Sequence, residues 1–321
     1  MGKRTKIWLI TATFLVALGL IIFASAMTVH DWDFTQLNTA KYETNTYSLS
    51  DEFADISIKT ETADIVFLPA DNGKCKVVCY EPQNAKHSVG VQDSSLIIQE
   101  VDEREWYEYI GITLGTPKIT VYLPDDEYGM LFIREDTGDI EIPPNFRFAD
   151  IDILTSTGDV KNEASASETI KIKTSTGDIR VQTISADTLD FSVSTGKVIA
   201  HSITCTGDVR ITVSTGDTKL NDITCKRVLS TGSTGKISLA NVIAEEQISI
   251  ERNTGDINFE GCDAAEITIK TSTGDVRGSL LSEKIFIVGT ETGNVNVPRT
   301  VTGGKCEITT DTGNIYIKIQ N

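Results

Sequence analysis

Thr155-Ser156-Thr157-Gly158-Asp159-Val160 and Thr174-Ser175-Thr176-Gly177-Asp178-Ile179 are two copies of one turn, 19 residues apart. Outward from them the turn recurs with its glycine at Gly138, Gly158, Gly177, Gly196, Gly216, Gly235, Gly255, Gly274, Gly293 and Gly313. Successive glycines are 19 or 20 residues apart, and threonine precedes every one. Seven and five residues before the glycine stand apolar pairs such as Ile151/Ile153, Leu189/Phe191 and Ile248/Ile250. Two and four residues after it stand pairs such as Ile140/Ile142, Ile179/Val181 and Ile257/Phe259. Alternation with a period of two on both sides of a turn specifies strands with one buried face. A further column, seven residues past the glycine, reads Ile184, Ile203, Ile223, Val242, Cys262 and Leu281.

The period selects the fold. A propeller blade needs four strands and about 40 residues, twice this repeat. Independent hairpins have no reason to keep one residue at one offset through ten copies. A parallel solenoid does, because each residue lies above its homologue at about 4.8 Å. The sequence therefore predicts an all-β protein, a parallel β-solenoid of about ten coils. Its hand is expected to be right, as parallel crossovers nearly always are. Glycine supplies the positive φ of the corner, and the Asp or Asn after it is expected to bond neighbouring backbone amides. The ten glycines are thus read as structural.

Around this body the chain falls into segments. Lys3, Arg4 and Lys6 precede Ile7–Ala26, twenty residues without a charge, which is enough for one bilayer crossing. The basic start predicts a cytoplasmic tail of residues 1–6, a transmembrane anchor at 7–26 and an exported remainder. Ala24-Ser25-Ala26 also fits the cleavage site of a signal peptide, although the apolar run exceeds the usual core of about 7–15 residues. Residues 27–52 read as a polar stalk. Residues 53–130 read as an antiparallel β cap that shields the open edge of the coils. The cap opens with a degenerate coil, Ile56/Ile58 before the turn and Ile65/Phe67 after it, with Ala63 in the glycine's place. Short strands Lys74–Tyr80, Lys86–Gln92, Ser95–Val101 and Lys118–Leu123 follow, and 131–321 is the solenoid. Two irregularities interrupt the repeats. Thr206-Gly207-Asp208 is a turn half a coil out of step. Ser230-Thr231-Gly232-Ser233-Thr234-Gly235 doubles the motif and puts a serine in an apolar column.

The basic start with a single apolar span, the strand Ile119-Thr120-Val121-Tyr122-Leu123-Pro124, and the Ser-Thr-Gly-Asp ladder together resemble a known family. It is the β-strand-repeat, domain-of-unknown-function family of candidate adhesins that includes LiaG-like envelope proteins of Gram-positive bacteria. The resemblance covers about residues 45–321. It implies surface adhesion or a part in an envelope-stress module, and it carries over no catalytic residues.

Chemistry is sparse. The 46 acidic residues outnumber the 29 basic ones, for a net charge of −17, and no basic stripe runs through the repeats, which excludes nucleic acid as a partner. The three histidines, His30, His87 and His201, are scattered, with no zinc spacing and no Ser-His-Asp context. No catalytic residue, cofactor or metal site is expected. Asp139, Asp159, Asp178, Asp217, Asp256 and Asp275 share one turn position and could hold calcium. Lys197 and Lys236 interrupt that column, however, and backbone capping is the simpler reading. Of six cysteines, Cys75 and Cys79 are about 13 Å apart along one strand, too far to bridge. Cys262 and Cys306 fall in apolar columns. Cys205 and Cys225 share an offset in adjacent coils, so either a disulfide or two stacked thiols is open. Trp106, Tyr107 and Tyr109, set among five charges, are candidate partner contacts. The expected protein is a membrane-anchored, extracytoplasmic, non-catalytic binding or scaffold module for a surface glycan or envelope protein. An accessory or sensor role in an envelope-stress system is the alternative, and calcium binding a minor one.

Overall fold

The structure, a computed structural model, describes residues 2–29, 31–33, 40–71, 73–102, 104 and 115–320. One coil shows how the period becomes a solenoid. Strand Thr188–Thr195 runs into the turn at Gly196, Val198–Cys205 continues beyond it with a bend at Ser202, and a second turn at Thr206-Gly207 starts Asp208–Thr215 one level up. Pairing between levels is parallel and homologous: Ile170 faces Leu189 and Leu189 faces Val209, while Ile172, Phe191 and Ile211 form the next column. These side chains are fully buried, and the alternate ones point to solvent. The body is a β-solenoid of about ten turns.

Glycine at the corner answers to two constraints. At Gly158, φ is 146°, and a Cβ there would lie 1.8 Å from the carbonyl oxygen of Gly138 one coil below. Backbone stacks directly on backbone. A second corner six residues later holds Thr183, Ser202, Asp222, Asn241 and Gly261 at φ between 53° and 60° in five successive coils. The one-residue reversal at this corner aims Ile184, Ile203, Ile223, Val242 and Cys262 inward, as expected. Leu281 departs from the column: the register shifts between Phe259 and Cys262, Leu280 takes the buried place and Leu281 is exposed.

The N-terminal part differs from expectation in two ways. The helix α1 (Lys3–Val29) contains a 26-residue stretch, Arg4–Val29, long and apolar enough to cross a membrane, as an anchor or a signal sequence would be. Beyond it, β1 (Tyr42–Ser48) is a strand, where the sequence suggested stalk. It pairs antiparallel with β4 (Lys76–Pro82), and its mostly polar composition hid it. The second difference concerns the cap. The degenerate coil, β2 (Asp55–Thr62) and β3 (Asp64–Pro69), stacks parallel on β8 (Glu127–Thr137) and β9 (Ile140–Ile142). On its other side, β6 (Ser95–Asp102) pairs parallel with β2, and β7 (Lys118–Leu123) pairs parallel with β3. Only then come antiparallel partners, β5 (Ala85–Gln92) on β6 and β4 on β7. The cap is mixed, because its first layer must match a parallel coil edge.

At the far end the coils do not stack in chain order. Strand Gly304–Thr312 inserts between Glu266–Thr273 and Lys284–Thr292, so the last repeat lies inside the one before it. Burial explains the exchange. The inserted coil contributes Cys306, Ile308, Ile315 and Ile317, all buried, whereas the outer coil has a two-residue second strand and leaves Ile285, Ile287 and Val295 exposed.

Candidate functional site

Among the described residues, a cluster of three metal-capable side chains lies in the cap. Cys79 and Glu81 are two residues apart on β4, so both face inward. The chain reverses at 83–84, and β5 returns with Ala85 and His87 inward. Cys79 Sγ, a Glu81 carboxylate oxygen and a His87 ring nitrogen all lie within 4.8 Å of one another, and the three residues are buried. Glu81 Oε2 is 2.6 Å from His87 Nδ1 and accepts the His87 backbone N–H at 2.8 Å. Asn45 Nδ2 donates to Glu81 Oε1 at 2.7 Å, and Tyr47 donates to the His87 carbonyl at 2.9 Å. The strand missed in the sequence thus supplies two supports of the cluster.

On the other side of the ring, His87 Nε2 is 2.9 Å from Thr60 Oγ1. The Thr60 hydroxyl donates to Glu100 Oε2 at 3.0 Å, and that oxygen also accepts the Glu61 N–H at 2.7 Å. A hydroxyl has one proton. With that proton on Glu100, Thr60 can only accept from the ring, so Nε2 carries a hydrogen. Thr60, His87 and Glu81 therefore have the outline of a nucleophile–base–acid relay, but the ring has no lone pair to offer the hydroxyl.

The electrostatics fit this arrangement. Burial works to raise the Glu81 carboxyl, yet the hydrogen bonds from the His87 ring, Asn45 and the His87 amide outweigh it and hold it below its ordinary value. Burial, with Glu81 adding to it, pushes the Cys79 thiol up to about 12. Below the cluster, Thr60 stacks on Glu135 and Glu135 on Thr155. Glu135 is 1% exposed and both its carboxyl oxygens lack hydrogen-bond partners. A surface groove of about 460 Å³, lined by Lys59, Phe132, Arg134 and Asp136 among others, includes Thr60 and Glu100 in its wall, while Cys79, Glu81 and His87 are buried behind them.

The residues singled out in the sequence are placed as follows. The ten glycines form the turn column. The aspartates beside them cap amides, but in the next coil: Asp159 N–H donates to Asp139 Oδ1 and Asp178 N–H to Asp159 Oδ1, each at 2.8 Å. Arg180 spans the second oxygens of Asp159 and Asp178 at 2.7 and 2.6 Å. Lys197, which broke the acidic column, donates its amide to Asp178 Oδ1 at 2.9 Å. Cys205 and Cys225 share an inward column, and both are free thiols rather than a disulfide. Stacked parallel strands aim both side chains the same way, and Cys205 Sγ donates to the Asp187 carbonyl at 3.0 Å. Trp106, Tyr107 and Tyr109 lie outside the described residues. The doubled turn has its own cause: Gly232 leaves room for the Arg252 guanidinium, which is buried and donates to the Val213 carbonyl at 2.7 Å.

Sequence reasoning missed the Cys79–Glu81–His87 cluster, since the strand expected at 74–80 stopped one residue short of Glu81. The usable signal was parity, with Cys79 and Glu81 on one face and His87 in phase with Val89 on the next strand.

A family model described as Toastrack DUF4097 matches residues 53–213 and 204–321. No curated protein matches the chain. Among solved structures, a candidate adhesin from Bacteroides fragilis is 16% identical, with a TM-score of 0.43, over 87% of this chain and 97% of that one. A candidate lipid-binding protein from Parabacteroides distasonis is 17% identical, with a TM-score of 0.42, over 75% and 95%. A candidate adhesin from Parabacteroides distasonis is 11% identical, with a TM-score of 0.45, over 85% and 98%.

Proposed function

Since the chain belongs to the Toastrack DUF4097 family, we propose that it is a membrane-anchored, extracytoplasmic binding or scaffold module without catalytic activity. The observation that supports this reading is the destination of the repeat's polar groups. Turn carboxylates cap amides one coil away, and side chains such as Arg180 tie those carboxylates together. A body held this way is a stiff support, and it leaves recognition to the outer face. The groove over Lys59, Phe132, Arg134 and Asp136 is the place we assign to it. An aromatic ring among cations and carboxylates suits a sugar or a protein side chain. The helix Lys3–Val29, retained as an anchor, would set the cap and this groove on the membrane-proximal side.

The test uses residues 40–321, a boundary that keeps β1, with glycan surfaces and intact cells, and the full chain in pull-downs from membranes. Saturable surface binding that Phe132→Ala and Arg134→Glu reduce at least tenfold supports the module reading. A co-purifying membrane protein without surface affinity favours the envelope-stress accessory. Neither surface binding nor a membrane partner would overturn the proposal.

A further inference from the structure

We infer that Cys79, Glu81 and His87 form a binding site for a divalent metal ion of the zinc class. Thiolate, imidazole and carboxylate together make a donor set for zinc or its cobalt substitute. Calcium, which takes six to eight oxygens, does not fit a site with one carboxylate.

The hydrogen bonds around the ring select the metal-binding atom. Nε2 is fixed as a donor to Thr60, whose hydroxyl is fixed in turn on Glu100. That leaves Nδ1, the nitrogen facing Glu81, as the atom that holds either a proton or a metal ion. A ligating histidine ordinarily donates its other N–H to a polar partner, which orients the ring. Here that partner and its own carboxylate support are both in place.

Charge agrees with geometry. Loading replaces the thiol proton of Cys79 and the proton held between Nδ1 and Glu81. Two protons leave, and the product is one dication, one thiolate, one carboxylate and one neutral imidazole. The loaded cluster is neutral, which suits a site as buried as this one. An ion at about 2.1 Å from nitrogen and oxygen separates them by about 3.4 Å. The 2.6 Å contact between Nδ1 and Oε2 must therefore widen by about 0.8 Å. Rotation of the Glu81 carboxylate, away from its bonds to Asn45 and the His87 amide, is the movement that loading requires.

The experiment takes the full chain in detergent, strips it with chelator and titrates it with cobalt, then with zinc in competition. One equivalent of cobalt with a thiolate-to-cobalt charge-transfer band is expected, and zinc should bleach it. Cys79→Ser should abolish the band, Cys306→Ser should leave it, and Thr60→Val should keep it while weakening affinity about 10- to 100-fold. Circular dichroism checks each variant for folding. If Cys79→Ser does not fold, the wild-type and Cys306→Ser spectra still decide. A wild-type protein without a thiolate band, or a band that survives Cys79→Ser or vanishes in Cys306→Ser, would overturn the inference.

Discussion

Glu135 should make the stability of this protein fall as pH rises from mildly acidic to mildly basic. Its side chain is buried in the column between Thr60 and Thr155, and neither carboxyl oxygen has a hydrogen-bond partner. Burial, reinforced by Asp64, Asp139 and Asp136, raises its pKa from an ordinary 4.5 to about 8. The sign follows from which state gives up its proton first. Above pH 4.5 the unfolded chain releases the proton while the folded chain keeps it, so unfolding gains with every step up in pH until the folded carboxyl also ionises. The contribution is complete below about pH 4.5 and is lost through pH 8. The 3.5-unit window at about 1.36 kcal/mol per unit sets a ceiling of about 5 kcal/mol. Donation from the Thr155 hydroxyl to the ionised form is already contained in the pKa of about 8, so the expected loss between pH 5 and pH 8.5 is about 4 kcal/mol. Urea midpoints at pH 5 and pH 8.5, for the native protein and Glu135→Gln, give the loss as a double difference in which other titrating groups cancel. Glutamine cannot ionise, so the variant should lack this part of the pH dependence. Equal losses in both proteins would refute the buried, unpartnered carboxyl.

Four further outcomes are expected. Ile250→Asp, at a fully buried position, should cost several kcal/mol in a melt, while Glu251→Lys, one residue on and exposed, should stay within about 0.5 kcal/mol. Gly232→Ala puts a Cβ 1.9 Å from the Val213 carbonyl oxygen and 2.1 Å from Arg252 Nη1. It should cost about 3 kcal/mol, and adding Arg252→Leu should not restore it, because the carbonyl clash remains. Alkylation of unfolded, unreduced, chelated protein should label all six cysteines, and a cross-linked 205–225 peptide in the mass spectrum would contradict the free thiols. Melting temperatures in chelator and in millimolar calcium should agree within a few degrees, since the turn carboxylates already cap amides. A shift of many degrees would assign the ladder to calcium.

The body was legible because it is repeated. Each inward column was visible several times over, and a single odd residue such as Ser230 could not hide the phase. Periodicity says which side chains face inward, but not which coil lies on which. The motifs at Gly293 and Gly313 look equivalent in the sequence, so the exchange of the last two coils could not be read. It rests on a small difference in how much apolar surface each coil buries. β1 escaped for the opposite reason. Its half-buried face is Glu43, Asn45 and Tyr47, polar enough to pass for a linker. The Cys79–Glu81–His87 cluster occurs once, spread over two strands, and nothing repeated draws attention to it.

The position of that cluster follows from the architecture. Inside the ladder, a change in one coil must fit the coil above and the coil below. Arg252 shows the constraint: its guanidinium is accommodated only because Gly232, one level away, has no side chain. A buried polar group in the body is either matched locally, as Asn162 is with the backbone of Ala164 at 2.9 Å, or left without a partner, as Glu135 is. The first coil has a ladder neighbour on one side only. Its other neighbour is the cap, whose strands need not obey the 19–20-residue period and can differ from every other level. Glu100 can lie over Thr60, and His87, Glu81 and Cys79 can gather beside them, without an echo in the next coil. At the opposite end, Lys284–Thr292 pairs on one side only, with apolar side chains exposed. That end uses the same freedom for one local set of polar contacts, in which the buried Lys284 Nζ lies 2.6 Å from Asp263 Oδ1 and donates to Ser282 Oγ at 2.6 Å, whereas the cap brings a thiol, a carboxylate and an imidazole together.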